Sequence, residues 1–444
     1  MAASTYSFQL HNLGPIPLEV ILHEVVRLSE HDPSDEKGTT RACQTLRLVS
    51  KGMSKAFSHC MPLFTLTFRQ DDDNRRMATY RDLLKKMIKI PSEMHVHLHF
   101  NTAEDVRRCL ALINSFPAAW RHVRHIFVSL GSGVTTSWMP FVAGYFSSVR
   151  FLGIRLVNFT GFFIVTEEIS SFQKLEHFSI MGRNKSSSFV FINLTYLRVQ
   201  KLNIQRCTIM FLTGMTLEVT DFFMLRSCYV CKSIPQHLRA SGRLYVIDTL
   251  FLRQSTDQYV FDPDAFLGVQ KAYLGNDMAT YFANHPASFR NVTDLVYFPN
   301  KTQTGTTVPS WETIFQQGPK DLESFTIYQM HNDQLNALTG LPRLKDLKLG
   351  LLEPDTTRAL HAVVRQLTNL ESLSFYFSRS SFTGPNMIYS SLCSYVASLR
   401  TTGRARGIQK LTVCMFDYWN MDDIASHWDT QEGVHYHTIH DGSL

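Results

Sequence analysis

The sequence lacks the motifs and segments that mark most enzymes, membrane proteins and secreted proteins. It contains no nucleophile elbow (Gly-x-Ser-x-Gly), no P-loop and no His-Glu-x-x-His, so no known catalytic signature suggests an active site. No window approaches the roughly 18 consecutive apolar residues of a transmembrane helix, and no signal peptide is recognisable at the N-terminus. We therefore expect reduced cysteines, no membrane association and a location in the cytoplasm or nucleus.

Charge is also scarce. Charged residues make up 18% of the chain, below the roughly 25% of an average domain. The 44 basic and 38 acidic residues leave a net charge of +6 over 444 residues, too mild to predict nucleic-acid binding. Phenylalanine, in contrast, occurs 32 times, and 44% of the residues are hydrophobic. This composition indicates a large core, with aromatic surface left for a protein partner.

Two groups of possible metal ligands are incomplete. Cys228 and Cys231 form a CxxC pair, but a structural zinc site needs four ligands and the chain has no second CxxC. His95, His97 and His99 alternate, so on a strand they share one face, as metal ligands would. The alternative is a polar strand face with the intervening apolar residues buried behind it. We expect no metal and no cofactor.

A repeat begins at about residue 120. Its pattern is apolar, two residues, apolar, one residue, apolar, as in Val219-Phe222-Met224, Ile247-Leu250-Leu252 and Leu344-Leu347-Leu349. The pattern occurs twelve times at a mean spacing of about 26 residues, within the period of leucine-rich repeats of about 20–29. Segments between the predicted strands, such as 354–366, have helical spacing.

The repeat predicts an α/β fold. One strand and one helix cannot bury their apolar sides alone, whereas stacked neighbours can, which favours an irregular solenoid with a parallel inner sheet and outer helices. The alternative is a set of unrelated strands in doubly wound α/β domains. That arrangement would require several domains joined by linkers, and no linker-like composition is found between residues 100 and 420.

The N-terminal segment does not follow the repeat. Pro17 suits the first turn of a helix, and the apolar residues after it recur at helical spacing through Val26. A second helical stretch, with Leu46, Val49 and Phe57 on one face, follows a polar loop. The segment is therefore predicted to be a short all-α module.

Several stretches of this module resemble the F-box. They are the Pro-Leu-Glu-Val-Ile-Leu helix, the Leu-Arg-Leu-Val-Ser-Lys run and the downstream aromatic Phe57. The following run, PLFTLTF, is similar to fungal F-box/leucine-rich-repeat proteins. The resemblance implies a non-catalytic substrate receptor that binds a Skp-type adaptor and, through it, a cullin–RING ubiquitin ligase. The implied adaptor contacts are Pro17, Leu18, Ile21, Leu22, Val25, Leu46, Val49 and Phe57.

These patterns divide the chain into three expected segments. Residues 10–68 form the F-box-like module, residues 69–425 the leucine-rich-repeat solenoid, and residues 426–444 a mobile tail. The alternative function is a ligase-independent scaffold for protein interactions, in which the N-terminal helices only cap the first repeat.

The target-binding residues are predicted from strand alternation. The residue between the two strand apolar positions, and the one after the second, should face the concave side of a solenoid. In the second half of the chain these positions are rich in aromatic side chains, which dominate interface energetics. We expect the target to dock from the strand at 219–225 to the strand at 370–376. The alternative is that a register slip places some of the rings in the core. The expected contacts are Phe223, Phe251, Arg253, Tyr273, Phe298, Tyr328, Lys348 and Tyr376.

Overall fold

A computed structural model describes most of the chain from residue 93 to residue 378 and shorter pieces on either side. The described residues are 63–68, 93–115, 120, 123–131, 134, 138–157, 161–231, 237–252, 261–298, 310–327, 335–350, 356–378, 408, 410–416 and 436–439. The expected F-box-like helices and their eight adaptor contacts lie outside these residues, as do Arg253 and Tyr328 of the expected target site.

The chain divides into two compact units. The first runs to Leu194 and includes Arg206–Thr208, and the second comprises Thr195–Gln205 and the chain from Ile209 onward. Both units contain parallel strands with helices between some of them. This confirms the predicted α/β class and the predicted parallel sheet.

The described part of the first unit contains five strands that pair in one order and two further strands that pair with each other. Its elements are β1 (Leu63–Phe68), β2 (Glu93–Phe100), α1 (Ala103–Ser115), β3 (Val123–Leu130), α2 (Met139–Tyr145), β4 (Phe151–Leu156), β5 (Gly161–Val165), a 3₁₀ helix (Glu167–Ser171), β6 (His177–Met181) and β7 (Ser188–Ile192). The strand order is β1-β2-β3-β4-β6, with every pair parallel. Strands β5 and β7 also pair in parallel, outside this order.

The second unit repeats this arrangement with more strands. Its first elements are β8 (Tyr196–Gln205), β9 (Thr208–Phe211), β10 (Thr216–Arg226), β11 (Tyr229–Cys231), β12 (His237–Ile247), β13 (Leu250–Leu252) and β14 (Gly268–Gly275). They are followed by α3 (Asn276–Asn284), a 3₁₀ helix (Pro286–Phe289), β15 (Asp294–Phe298), α4 (Trp311–Gln317), β16 (Ser324–Ile327), a 3₁₀ helix (Asn336–Gly340), β17 (Asp346–Gly350), α5 (Thr356–Gln366), β18 (Ser372–Ser378), β19 (Lys410–Phe416) and β20 (Tyr436–Ile439).

The strands of the second unit form one long order and one short one. The long order is β8-β10-β12-β14-β15-β16-β17-β18-β19-β20, and β9-β11-β13 forms the short one. The last pair, β19 with β20, is antiparallel. Strand β20 lies within residues 426–444, the segment expected to be a mobile tail, and its backbone pairs with β19.

Alternating apolar residues place the core on one side of each sheet. In β2, Val96, Leu98 and Phe100 are buried, and the ring of Phe100 lies 6.1 Å from that of Trp138, next to α2. In the second unit, the ring of Trp311 in α4 packs edge-on against two rings of the sheet. It lies 5.3 Å from Phe325 of β16 and 5.1 Å from Tyr297 of β15. The helical spacing predicted for 354–366 is confirmed by α5, which buries Leu360, Val363, Val364 and, just beyond its end, Leu367.

Two of the predicted repeat triplets are wrong in register. For Val219-Phe222-Met224, the pairing of β10 with β8 shifts between Val219 and Phe222, so β10 buries Phe223 and Leu225 instead. For Ile247-Leu250-Leu252, residues 250–252 form β13 of the short order, away from the long sheet. A bulge and a second sheet are set by pairing with other strands, which a local apolar pattern does not encode.

Three residues with left-handed backbone recur at intervals of 21 residues. They are Arg206, Ser227 and Asp248, with φ values of 54°, 52° and 51°. The next residue in each case, Cys207, Cys228 or Thr249, is buried. The Cys228 sulfur lies 3.3 Å from the carbonyl oxygen of Ile204 and 3.2 Å from that of Arg226, to either of which its thiol can donate.

Thr249, 21 residues after Cys228, also lies close to two backbone carbonyl oxygens. Its hydroxyl lies 3.1 Å from the carbonyl oxygens of Leu225 and Ile247, to either of which it can donate. Because buried carbonyls need donors, these side chains stabilise the corner at which the chain leaves one sheet and enters the other.

We predict that Thr249→Val lowers the free energy of unfolding by about 1–3 kcal/mol, because it leaves buried carbonyl oxygens without this donor. The measurement is urea denaturation followed by circular dichroism. Thr293→Val is the matched control, since the Thr293 hydroxyl also bonds a backbone carbonyl, that of Gln270 at 3.2 Å, but in an exposed position. The control should cost less than about 0.5 kcal/mol, and equal losses in the two variants would contradict the assignment.

Candidate partner-binding faces

In each unit, the longer strand order has an outer face. By this we mean the strand positions that alternate with the buried ones. In the first unit this face takes three positions from each of β2, β3, β4 and β6, and most of its side chains are half-buried. The twelve positions are His95, His97, His99, His125, Phe127, Ser129, Phe151, Gly153, Arg155, His177, Ser179 and Met181.

Parallel register arranges these twelve positions in three rows. The first row is His95, His125, Phe151 and His177, one residue from each strand. His95 and His125 stack at 4.1 Å with their planes 8° apart. Phe151 lies 5.4 Å from His125 and 4.4 Å from His177, edge-on to the latter. The row is therefore a continuous file of rings across four strands.

The second row contains a glycine, Gly153, between residues with side chains. It runs His97, Phe127, Gly153 and Ser179, and the rings of Phe127 and Phe151 lie 4.6 Å apart beside the glycine. A Cβ at Gly153 would lie 2.9 Å from Phe127 Cδ1 and 2.9 Å from Phe151 Cε1, which is too close. Gly153 thus provides the space in which the two phenylalanine rings meet.

The third row is more polar. It runs His99, Ser129, Arg155 and Met181, and Arg155 is the exposed member. None of the twelve positions of this face is occupied by a carboxylate. Glu176, which precedes β6, pairs with Arg150 at 3.6 Å.

The possible metal ligands do not converge. Among the described residues, no three His, Cys, Asp or Glu side chains are arranged to hold a metal ion. The His95 and His125 rings stack on each other. The Cys228 thiol lies within hydrogen-bonding distance of two backbone carbonyl oxygens. Burial raises the pKa of the Cys109 thiol to about 12, so this cysteine stays protonated and unreactive near neutral pH.

The outer face of the second unit begins with ion pairs. Arg198 pairs with Glu218 at 3.6 Å, and Lys201 pairs with Asp221 at 3.7 Å. Each pair joins neighbouring strands, as does the pair of Lys271 with Asp294 at 3.5 Å. Exposed pairs of this kind contribute little to stability, but they balance charge across this part of the face.

The carboxylate of Asp262, beside this face, accepts a backbone hydrogen bond as well as forming an ion pair. A hydrogen bond from the backbone N–H of Asp264 and one from the Arg239 side chain lower the pKa of Asp262. The Arg239 guanidinium lies 2.8 Å from the Asp262 carboxylate. Asp262 therefore remains ionised and neutralises the guanidinium that faces it.

An aromatic cluster follows on the same face. The rings of Tyr245 and Tyr273 lie 5.4 Å apart on β12 and β14, and both are half-buried. They pack against Ile247, Val296 and Phe298, which are almost fully buried. We call these five residues the tyrosine cluster.

The structure places the expected target contacts in several environments. Tyr273 and Phe298 belong to the tyrosine cluster, and Lys348 lies on the outer face of β17, 3.2 Å from Asp346. Tyr376 lies in β18, where it pairs in register with Gly350.

Phe298 is only 5% exposed, so it is not available as a contact, and two other expected contacts are also wrong. Phe223 is only 4% exposed and faces the core, as the bulge in β10 dictates. Phe251 lies in β13 and lines a small apolar cavity with core residues such as Phe266 and Met278. Neither is placed for a target that binds the outer face.

The predicted repeat starts at about residue 120, so it includes β3, β4 and β6 of this file of rings but leaves out the histidines of β2. The alternation rule, extended to β2, identifies His95, His97 and His99 as outer positions. Applied to β6, it identifies His177. Val96, Leu98 and Phe100 are buried behind the β2 histidines, so the reading of His95, His97 and His99 as a polar strand face is confirmed.

Comparisons with known proteins leave the family open. No protein-family model matches the chain, and no curated protein matches it. Among solved structures, a protein from Bacteroides fragilis covers 77% of this chain and 71% of its own length, at 12% identity and a TM-score of 0.22. A superposition at that TM-score carries no argument about fold or function.

No helix in the described part of the chain has both the length and the apolar character needed to cross a membrane.

We predict opposite effects for two glycine substitutions. Gly153→Ala should lower the free energy of unfolding by about 1–3 kcal/mol, because the new methyl group pushes the Phe127 and Phe151 rings apart. Gly144→Ala in α2, where a Cβ meets nothing within 4 Å, should raise it by about 0.4–1 kcal/mol. Urea denaturation measures both, and a Gly153→Ala protein as stable as wild type would show that the rings do not need this space.

Proposed function

We propose that this protein is a non-catalytic substrate receptor of a Skp–cullin–F-box ubiquitin ligase, with a leucine-rich-repeat solenoid as its target-binding part. The observation that carries the receptor role is the outer face of the sheets. It presents half-buried rings in register, while the helices and the apolar core lie behind it. Aromatic side chains held in fixed positions are what protein interfaces use most.

The corners support the leucine-rich-repeat assignment. Such repeats end their strand with apolar, one residue, apolar, two residues and then Asn or Cys. Leu202, Ile204 and Cys207 follow this spacing, and Phe223, Leu225 and Cys228 follow it 21 residues later. The 21-residue interval lies within the period of about 20–29 residues for this class.

The ligase assignment is supported by the F-box resemblance of residues 10–68. In this proposal the apolar stripe of the first helix docks on the Skp-type adaptor, and the repeats hold the target nearby. Ubiquitin is transferred by the conjugating enzyme that the cullin–RING scaffold recruits. The receptor contributes position and effective concentration, so it needs no acid, base or nucleophile of its own.

The competing function is a scaffold that binds a partner without a ligase. In that case the N-terminal helices cap the first repeat, and no Skp-type adaptor binds. Adaptor binding therefore separates the two functions.

We predict that replacing Ile21 and Leu22 together with Asp abolishes co-purification of the Skp-type adaptor, because two carboxylates in an apolar interface are strongly disfavoured. The measurement is affinity purification of the tagged full-length protein with co-expressed adaptor. His23→Asp with Arg27→Asp is the matched control, since these residues lie on the opposite side of the predicted helix and add the same number of carboxylates. Adaptor binding that survives the Ile21 and Leu22 changes, with circular dichroism unchanged, favours the scaffold function.

We predict that replacing Tyr245 and Tyr273 together with Ala removes the target but not the adaptor. Both rings are half-buried on the outer face, so their loss removes contact area. The measurement is quantitative mass spectrometry of proteins retained by the full-length receptor. The double change to Phe is the control, because it keeps both rings. A target retained equally by the Ala and Phe variants would exclude the tyrosine cluster from the interface.

A further inference from the structure

Strands β5 and β7 of the first unit carry an exposed apolar face on the side away from the core. The inner side chains of both strands are buried. The outer side chains of β5 are Phe162, which is 58% exposed, and Ile164, which is 39% exposed. Pairing in register places Phe189 of β7 beside Phe162 and Phe191 beside Ile164. We call these four outer residues the β5–β7 patch.

The patch is continuous, and apolar exposure of this kind is uncommon in the rest of the described chain. The rings of Phe162 and Phe189 lie 5.3 Å apart, and both phenylalanines of β7 are half-buried. Among the described residues four large hydrophobic side chains are exposed, and two of them belong to the patch. Contiguous exposed apolar area marks an interaction surface, whereas single exposed apolar residues do not.

The strands of the patch carry no charge, which suits a symmetric contact. Neither β5 (GFFIV) nor β7 (SFVFI) contains Asp, Glu, Lys, Arg or His. Near the two-fold axis of a dimer each side chain meets its own copy or the copy of a close neighbour, so a charge there would repel itself. Two uncharged faces avoid this repulsion and can pack at the distance of about 10 Å that separates stacked sheets.

The area of the patch is that of a weak interface. Its four side chains present roughly 300 Å² per copy, taking about 150–250 Å² for a whole aromatic side chain. A standard complex buries about 800 Å² per partner, of which about 57% is apolar. The patch therefore supplies about two-thirds of the apolar area of such a complex. Standard interfaces bind in the µM to pM range, so we expect a dissociation constant on the order of 10–100 µM.

The small area also favours a folded partner over a flexible one. A flexible peptide would lose the conformational freedom of its backbone and side chains on binding, and a patch of this size offers little to offset that loss. The same two strands in a second copy are already ordered by their own pairing and core. We propose that two copies of this chain associate weakly and symmetrically through the β5–β7 patch. The inference does not depend on the proposed receptor function.

The first test is sedimentation equilibrium of the purified full-length protein. Chain concentrations from about 1 to 200 µM bracket the expected dissociation constant. The average mass should rise with concentration from that of one chain, 50.9 kDa, towards twice that value. The mass of a single chain at all concentrations overturns the proposal.

A substitution in the patch locates the contact. Phe162→Glu should weaken the dimer at least about ten-fold, because it places a carboxylate beside its own copy in an apolar interface. Most of this side chain is exposed in one copy, so folding should be little affected, as circular dichroism would show. Tyr196→Glu is the matched control, since Tyr196 is also exposed and lies outside the patch. An unchanged dimer in Phe162→Glu, or equal weakening by the control, contradicts the proposal.

A mixture of two variants distinguishes a second copy from any other partner. Phe162→Glu and Phe162→Lys should each be monomeric alone, whereas an equimolar mixture should form a mixed dimer, because opposite charges then lie near each other. A mixture that stays monomeric contradicts the symmetric contact. A monomeric wild-type chain that retains an unrelated protein, and loses it on Phe162→Glu, would assign the patch to that protein and overturn the proposal.

Discussion

Parallel pairing of neighbouring strands is the constraint on which the other features of both units depend. A parallel strand has to be followed by a return connection before the next one can pair. In this chain the return is made by helices, such as α3 and α4, or by the short strands β9, β11 and β13. Each return buries the apolar side of its sheet, so most of the core lies on that side, although Ile247, Val296 and Phe298 are buried at outer positions of the second unit. The buried Cys228 and Thr249 satisfy carbonyl oxygens where such returns begin.

The same register determines the chemistry of the outer faces. Residues that are paired in register lie side by side on successive strands. When one residue type recurs at such positions, its side chains therefore form a row across the sheet. Histidine and phenylalanine form a file of rings from β2 to β6, whereas opposite charges alternate from β8 to β10. The tyrosine cluster then follows on β12, β14 and β15. Rows of different chemistry on a rigid sheet suit the recognition of extended protein segments.

A receptor of this kind needs complementary surfaces rather than reactive groups. In the described residues the thiols of Cys109 and Cys228 are buried, and the Cys228 thiol can donate to a backbone carbonyl. The outer faces instead carry aromatic and imidazole rings and a few cations. In the proposed function the tyrosine cluster and the file of rings hold the target, and the N-terminal module holds the adaptor.

The sequence by itself determined where most strands begin and which of their residues are buried, because alternation is a property of the local chain. It also predicted α5 from the spacing of Leu360, Val363 and Val364. Only the tertiary structure decided that Phe223 is buried and that Phe251 belongs to a second sheet, since both depend on how β10 and β13 pair with strands more than 20 residues away. It likewise decided which side chains form rows, because a row exists only when the register between strands is known.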